Sequence, residues 1–352
     1  MARGSWSGSE GARAMRKRAC ACLVVVVGFA CASLEPPPAP PPGWRTTLAT
    51  APPAPRENAF PLPPEELEVL MRSVDLRVVE IESTGAGIAG AQRMVARYPQ
   101  RGRTLAFKWK TAPGGGDGWN NSPRREIAAY RVQEWYLDSH DFVVPTTTAV
   151  CIPADRFPED FEAEPSFDAT GCLFGTQAVW LEGVHVPEQL FDPERFYRDS
   201  RYAMHLAHYN LLTFLIQNRD TRAGNYLASE DESNRRIYAV DNGISFGEWF
   251  FNFFVLHWDE IRVPALPRRA IDRLRGVRES DLEALGVVAE FRRDADGQLR
   301  EVPPSPVIDA DSGVRIRGDV IQLGLRSEEI DGVRDRLRDL LSAVERGEIL
   351  VY

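Results

Sequence analysis

The chain begins its folded part with short runs that alternate apolar and polar residues. Three such runs, at residues 76–82, 92–98 and 104–110, are separated by glycine-containing or charged turns. Alternation with a period of two is typical of β-strands that bury one face. After a Ser-Pro pair, apolar residues recur at helical spacing over residues 124–137, and proline in the first turn favours the start of a helix. The pattern predicts a sheet interrupted by one helix.

The pattern changes in the second half of the chain. Two more strand-like runs occupy residues 143–152 and 172–181, and helical spacing dominates from about residue 192. Candidate helices are residues 202–217, 271–275, 279–285 and 328–346. A β-rich half followed by an α-rich half predicts an α+β fold of two lobes, with the N-lobe at residues 65–183 and the C-lobe at residues 184–352.

The first 64 residues differ in composition from the rest. Residues 1–32 join a basic stretch to an apolar run too short to span a bilayer with ease, which is typical of a secretory signal peptide. Residues 33–64 are proline-rich and predict a stiff, extended linker. We therefore expect an exported protein of a bacterial cell envelope or periplasm, either released or, if Cys31 is lipidated, tethered to the membrane.

Charge and cysteine usage narrow the class of partner. The formal net charge is −9, and the leader is basic, so the remainder is more acidic still. An acidic surface argues against nucleic acid as a partner. Outside the leader there are two cysteines, Cys151 and Cys172. In an exported protein such a pair most simply forms one disulfide, and two buried free thiols are the alternative.

Lysine is scarce, with three lysines against 39 arginines. Two of the three, Lys108 and Lys110, lie in one predicted strand. Arginine carries a broad planar fork, whereas lysine is a compact ammonium on a thin stem. A lysine in a chain that otherwise uses arginine therefore indicates a narrow site, such as one that holds a phosphate oxygen. A coincidence on a surface strand is the alternative.

A glycine-rich loop precedes these lysines. Gly85, Gly87 and Gly90 form the pattern G-x-G-x-x-G between two predicted strands. Glycines let backbone N–H groups approach an anion closely. In a dinucleotide-binding fold the loop would open a helix. Here a strand and then a lysine follow, which is the order found in kinases.

Acidic and amide side chains follow the long candidate helix. Phosphoryl transfer needs cations on the phosphates, an aligned hydroxyl and a carboxylate that accepts its proton, and Asp220 is the candidate for that carboxylate. Asn225 and, after a predicted strand, Asp241 offer the hard oxygens that Mg²⁺ or Mn²⁺ prefers. Two unrelated turns are the alternative, since Asp, Asn and Gly are common turn residues.

Glu126 lies on the predicted helix and could pair with one of the two lysines. Such a pair would fix the ammonium group toward the phosphates of a nucleotide. Alternation places Lys108 and Lys110 on one face of their strand. We favour Lys108, because Lys110 lies nearer the end of the strand, and the choice between them stays open.

In combination, these motifs resemble the atypical secretory-pathway kinases, the group of Golgi casein kinase and the glycan xylosylkinase. HipA-type and phosphatidylinositol kinase-like proteins share a looser version. The resemblance runs from about residue 85 to about residue 274. The segments that carry it are Phe107-Lys108, residues 125–130, Asn218-Arg219-Asp220, residues 241–247, and Asp259-Glu260-Ile261 with Pro264-Ala265-Leu266.

The resemblance implies a two-lobed protein-kinase-like fold, with a β-rich N-lobe that carries one key helix and a mostly helical C-lobe. By resemblance, Lys108 binds the nucleotide phosphates, Glu126 orients it, Asp220 is catalytic and Asp241 binds the metal. Asn225 is carried over as a metal ligand from the wider kinase pattern. The C-terminal half has no cysteines, whereas the family staples that lobe with disulfides, so the stability of this lobe must come from packing. The basic-then-apolar leader and the proline-rich linker look bacterial, so the identity of the substrate is not transferred.

The function expected from the sequence is a metal-dependent ATP phosphotransferase that acts on hydroxyl groups of a protein, glycan or lipid, with ATP and Mg²⁺ or Mn²⁺ as cofactors. One alternative is an enzyme of the same fold that transfers AMP. Another is a nucleotide-binding pseudokinase that regulates a partner. A pseudokinase would be free to lose at least one of the candidate residues, and none is missing.

Overall fold

The computed structural model describes residues 40–49, 58–85, 90–247 and 258–352. The predicted leader and Gly87 lie outside these ranges. Within them, every helix is too short or too polar to cross a bilayer. Two helices, α1 (Trp44–Ala49) and α2 (Pro64–Met71), precede the first sheet.

The first sheet is antiparallel, and its five strands lie in the order β1-β2-β3-β5-β4. They are β1 (Arg77–Ser83), β2 (Gln92–Tyr98), β3 (Arg103–Thr111), β4 (Thr147–Pro153) and β5 (Cys172–Val179). Helix α3 (Pro123–Gln133) connects β3 to β4. Strand β3 buries Phe107 and Trp109 completely, so alternation turns its two lysines toward the opposite face of the sheet.

The helical part is interleaved along the chain with a small three-stranded sheet. The small sheet consists of β6 (Val184–His185), β7 (Tyr226–Ser229) and β8 (Ile237–Ala239). The helices are α4 (Pro193–Arg198), α5 (Ser200–Leu215), α6 (Arg268–Leu274), α7 (Glu279–Glu283) and α8 (Ser327–Glu345). The side chain of Asp199 accepts hydrogen bonds from the first backbone N–H groups of α5, which fixes where this buried helix begins. The α+β class predicted from the sequence is confirmed.

A second antiparallel sheet occupies residues 289–323, within the lobe that the sequence predicted to be mostly helical but between two of its candidate helices. Its strands are β10 (Ala289–Arg293), β11 (Leu299–Val302), β12 (Val314–Arg317) and β13 (Val320–Leu323), in the order β11-β10-β13-β12. These strands are short and carry several arginines, which conceals their alternation. The rings of Phe174 on β5 and Phe291 on β10 meet edge to face at 5.2 Å, so this sheet packs on the first sheet.

Two further strands, near residues 265 and 350, form a short parallel pair. Strand β9 (Ala265–Leu266) pairs in parallel with β14 (Leu350–Val351). Helix α1 lies within the segment expected to be an extended linker. Trp44 and Leu48, one turn apart, are buried, and Trp44 packs edge to face on Tyr197 of α4. Burial of these two apolar side chains stabilises the packing of α1 on the rest of the fold, so this part of the proline-rich segment is not an extended linker.

The predicted disulfide is present. Cys151 on β4 and Cys172 on β5 are bonded, with their Cα atoms 5.4 Å apart. Both cysteines are buried in the small core between the two sheets, next to Phe174 and Phe291. The bond therefore closes the loop between β4 and β5 beneath the second sheet.

We expect reduction of this disulfide to lower the free energy of unfolding by about 3 kcal/mol, because a sequence separation of 21 residues restricts the unfolded chain on that scale. Urea unfolding with and without reductant measures the difference. The double variant Cys151→Ala/Cys172→Ala is the control and should not respond to reductant. Titration of two free thiols in the folded, oxidised protein would contradict the prediction.

Candidate active site

A cavity of about 620 Å³ lies between the first sheet and the loops that follow α5 and β8. One part of its wall is apolar and includes Ala178, Leu181 and Leu227. The other part carries charged and amide side chains from several elements, namely Lys108, Lys110, Glu126, Asn225, Asp241 and Asn242. An apolar wall beside a cluster of fixed charges suits a ligand with a flat ring at one end and a charged group at the other.

Lys110 occupies the centre of the charged wall. Its Nζ lies 3.2 Å from Oε1 of Glu126 and also contacts Oδ1 of Asp241. The Lys110 side chain is only 2% exposed. Three elements that are distant in sequence, β3, α3 and the loop after β8, therefore meet at one ammonium group.

The ion pair with Glu126 was expected for Lys108, and the structure gives it to Lys110 instead. Both ammonium groups face the cavity, as the alternation predicted, but Lys110 lies two residues, or roughly 7 Å, further along the strand. Lys108 pairs with the other oxygen of Asp241, with Nζ 3.4 Å from Oδ2, and its side chain is 20% exposed. Lys108 is thus the more accessible of the two cations.

Mutual attraction keeps the central carboxylate charged. Burial opposes the charge on Lys110, but Glu126 and Asp241 outweigh it and raise the pKa of Lys110 to about 12. Burial lowers the pKa of Lys108, and attraction to Asp241 offsets this only in part. Burial also opposes ionisation of Asp241, yet Lys108 and Lys110 together hold its pKa below the usual value. Asp241 is therefore an anion at neutral pH.

A continuous chain of hydrogen bonds leads from this cluster to Asp220. The backbone N–H of Asn242 donates to Oε2 of Glu126 at 2.9 Å. The Asn242 side chain accepts a bond of 3.1 Å from Nδ2 of Asn218. The backbone N–H of Asp220 then donates to Oδ1 of Asn218 at 3.0 Å. The two loops that the sequence proposed as catalytic and metal-binding are thus fixed to each other and to Glu126.

Asn218 and Asn242 have no role in the site predicted from the sequence. Both are almost fully buried, at 3% and 1% exposure. Buried side-chain oxygens need hydrogen-bond donors, and the amide oxygens of Asn218 and Asn242 find theirs within these two loops. Their position beside Asp220 and Asp241 was visible in the sequence, but their contact across 24 residues was not.

Asn225 and Asp220 form a local unit. Nδ2 of Asn225 donates to the backbone oxygen of Asp220 at 2.7 Å and to its Oδ2 at 2.9 Å. These bonds use the amide N–H groups, and the amide oxygen of Asn225 takes no part in them. Asp220 itself does not line the cavity, but it contacts Asn225 and lies 3.5 Å from Nε of Arg222, and both of these do.

The backbone at Asp241 has a left-handed conformation, with φ of 66°. A non-glycine residue there is strained by about 1–3 kcal/mol, and such residues cluster at functional sites. The conformation lets the Asp241 side chain reach both lysines while the next N–H group donates to Glu126. The strain is thus repaid by the contacts of two consecutive residues.

The glycine-rich loop joins β1 to β2 at the edge of the cavity. Its flanking residues, Thr84 and Ala91, line the cavity. Gly85 and Gly90 have positive φ values of 65° and 64°, which only glycine adopts readily. Gly87 lies outside the described residues. The described ends of the loop are therefore next to the lysines.

The residues present fit a hard divalent cation. Asp241 supplies a carboxylate and Asn225 an amide oxygen, and both line one cavity. Mg²⁺ is typically bound through one or two carboxylates together with phosphates of the substrate, so a closed cage of protein ligands is not required.

Comparison with known proteins gives a likeness of structure only. No family model matches the sequence, and no curated protein is similar to it in sequence. The structure of hydra Fam20 with sugar aligns with a TM-score of 0.49 and 14% identity, over 80% of this chain and 90% of that one. Golgi casein kinase with Mn and ADP bound aligns with a TM-score of 0.47 and 12% identity, over 82% of this chain and 79% of that one.

A further structure of the Golgi casein kinase gives a TM-score of 0.44 and 12% identity, over 80% of this chain and 75% of that one. These structures come from the group that the motifs resemble. At identities of 12 to 14% the likeness concerns the fold. The function has to be inferred from the side chains of this chain.

We expect Lys110→Arg to lower the free energy of unfolding by about 1–3 kcal/mol more than Lys108→Arg, because a guanidinium group overpacks the site where the ammonium is 2% exposed. Urea unfolding of the two variants measures this difference. Lys108→Arg is the matched control, since it makes the same change on the same face of β3. Equal losses would show that Lys110 is not the more confined lysine.

Proposed function

We propose that this protein is a metal-dependent ATP phosphotransferase that acts on a hydroxyl group. The observation that carries the proposal is the buried ion pair of Lys110 and Glu126 beside Asp241, joined by hydrogen bonds to Asp220. A lysine on the third strand, paired with a glutamate on the following helix, is the arrangement with which kinases hold nucleotide phosphates.

Lys110 takes the role that the sequence assigned to Lys108. Its ammonium group is oriented by Glu126 and directed at the place where the phosphates of ATP would lie. Lys108, which is more exposed and faces the same cavity, supplies a second cation to those phosphates. The backbone of Gly85 and Gly90 would cover them from the β1–β2 turn.

The apolar wall would hold the adenine ring. Ala178 lies on β5 and Leu227 on β7, so they enclose the cavity from the two sides. Trp180 and Leu181 follow β5 directly and also line the cavity. This segment is where the chain passes from the first sheet to the helical part, and its backbone could bond to the edge of the base.

Asp220 would accept the proton of the attacking hydroxyl. Asn225 donates to its Oδ2 and so orients the carboxylate. Asp241 and the amide oxygen of Asn225 would hold Mg²⁺ or Mn²⁺. Such a cation, when bound, neutralises charge on the phosphates during transfer. Preorganised charges of this kind supply most of the catalysis that phosphoryl transfer needs.

We further propose that the protein is exported and modifies an acceptor outside the cytosol. The Cys151–Cys172 bond supports this, because structural disulfides persist in oxidising compartments. The acceptor would be a hydroxyl of a protein, a glycan or a lipid. The same cavity could serve AMP transfer if ATP binds in the reverse direction, so the position of the label in ATP decides between the two reactions.

The first test is nucleotide binding to the full chain, measured as the thermal shift with ATP in the presence and absence of Mg²⁺ or Mn²⁺. At 100-fold excess over the dissociation constant, ATP with metal should stabilise the wild type by about 2.7 kcal/mol. Asp241→Asn should lose the metal-dependent part of this shift, because an amide replaces the charged ligand. Asp220→Asn should retain it, since Asp220 is proposed to act on the acceptor.

Transfer is then followed with ATP labelled at the γ or the α phosphate. We expect γ-label to appear in acceptor, with a rate that falls by about 10²–10⁴-fold in Asp220→Asn. Transfer of α-label would instead establish AMP transfer. If no nucleotide shifts the wild type with either metal, the phosphotransferase proposal is wrong.

A further inference from the structure

Two arginines precede Glu126 on α3, and both bind one distant carboxylate. Nη1 of Arg124 lies 2.5 Å from Oε2 of Glu329. Arg125 donates to Oε1 of Glu329 through Nε at 3.0 Å and Nη2 at 2.8 Å. Glu329 belongs to the first turn of α8, about 200 residues later in the chain. The first turn of α3 is therefore clamped to the C-terminal helix.

The three residues of this clamp are buried. Arg124, Arg125 and Glu329 are 3%, 2% and 3% exposed. Nε of Arg124 also lies 2.7 Å from Oδ2 of Asp117, in the loop that leads into α3. Nε of Arg326 also lies 3.5 Å from Oε2 of Glu329, so three arginines surround this buried carboxylate, whereas the side chain of Asp117 is 28% exposed. Removing one partner of a buried ion pair leaves an uncompensated charge, so the arrangement holds its members firmly.

The surrounding backbone is shaped to admit Arg124. A Cβ on Gly313 would come within 2.3 Å of its Nε, so only glycine leaves room for the guanidinium there. Glu329 is itself anchored, because its Oε2 accepts the backbone N–H of Arg326 at 2.8 Å at the start of α8. The carboxylate therefore has a fixed position relative to α8.

Successive residues on a helix point about 100° apart, so Arg124 and Arg125 can bind α8 while Glu126 reaches Lys110. The other end of α3 is held separately, where Gln133 exchanges hydrogen bonds with the backbone of Val143 and Val144. The position of Glu126 thus depends on what holds the first turn. We propose that Glu329 is a positioning residue that keeps Glu126 in contact with Lys110, which makes α8 a structural control on the nucleotide site.

The consequence for nucleotide binding rests on the function proposed above, but the ion pair itself can be tested without a nucleotide. The chain has three lysines, Lys17, Lys108 and Lys110. Acylation of native protein with a small amine reagent, followed by peptide mass spectrometry, reports on each of them. Lys110 pairs with Glu126, is 2% exposed and should react slowly, whereas Lys108, which pairs with Asp241 and is 20% exposed, serves as an internal reference.

The test variant is Glu329→Asp, which keeps the charge and withdraws it by one methylene. We expect the acylation rate of Lys110 relative to Lys108 to rise several-fold. Glu290→Asp is the matched control, because Glu290 is also a buried glutamate, 2% exposed. It lies in the second sheet and accepts hydrogen bonds from Ser305 and Gln322, away from α3. Arg125→Lys, which keeps the charge but loses the fork, is the second variant if Glu329→Asp does not fold.

A cycle with Glu126→Gln separates positioning from a general loss of structure. Glu126→Gln alone should raise the relative acylation of Lys110, and adding Glu329→Asp should then change it no further. An additional rise in the double variant, or no rise in a folded Glu329→Asp or Arg125→Lys protein, would overturn the proposal.

ATP affinity provides a separate readout. If the wild type binds ATP, Glu329→Asp should weaken binding by a factor no larger than Glu126→Gln does. Wild-type protein that binds no nucleotide would refute the proposed function and leave the acylation result to decide the role of Glu329.

Discussion

The buried ammonium of Lys110 is the constraint on which the candidate site depends. An unpaired charge in that position would be prohibitively unfavourable, so the fold must bring Glu126 and Asp241 to it at once. The register of β3, the position of α3 and the path of the loop after β8 must therefore all bring their side chains to this ammonium group. Together with Lys108 the cluster holds two positive and two negative charges, so its charges balance within the protein.

The two kinds of basic residue have different tasks around α3. Arginine forms the buried ion pairs that hold helices together, as where Arg125 donates to Glu329 through two nitrogens of its guanidinium group. The two lysines of β3 instead lie on the wall of the cavity. The scarcity of lysine in the sequence predicted that they hold a phosphate oxygen, and that role stays a prediction.

Local patterns predicted much of the first half of the chain. The strands around Lys108, the helix of Glu126 and the disulfide were visible because period, turn chemistry and cysteine count act over short distances. The choice between Lys108 and Lys110 could not be predicted, since alternation places both on one face of the strand. Only the position of α3 determines which of them pairs with Glu126. The second sheet and the clamp of Glu329 rest on contacts between distant segments, which no local pattern encodes. The buried Trp44 was concealed by the prolines around it.

The disulfide bears on the order in which the molecule can be assembled. Cys151 and Cys172 lie on neighbouring strands and are separated by 21 residues, whereas the sheet that covers them is encoded much later in the chain. During synthesis, which starts at the N-terminus, both cysteines are therefore available to form this bond before the covering strands have been made. The disulfide-bonded pair β4 and β5 would then expose the apolar side chains of the small core, and the later strands would bury them by packing against this pair.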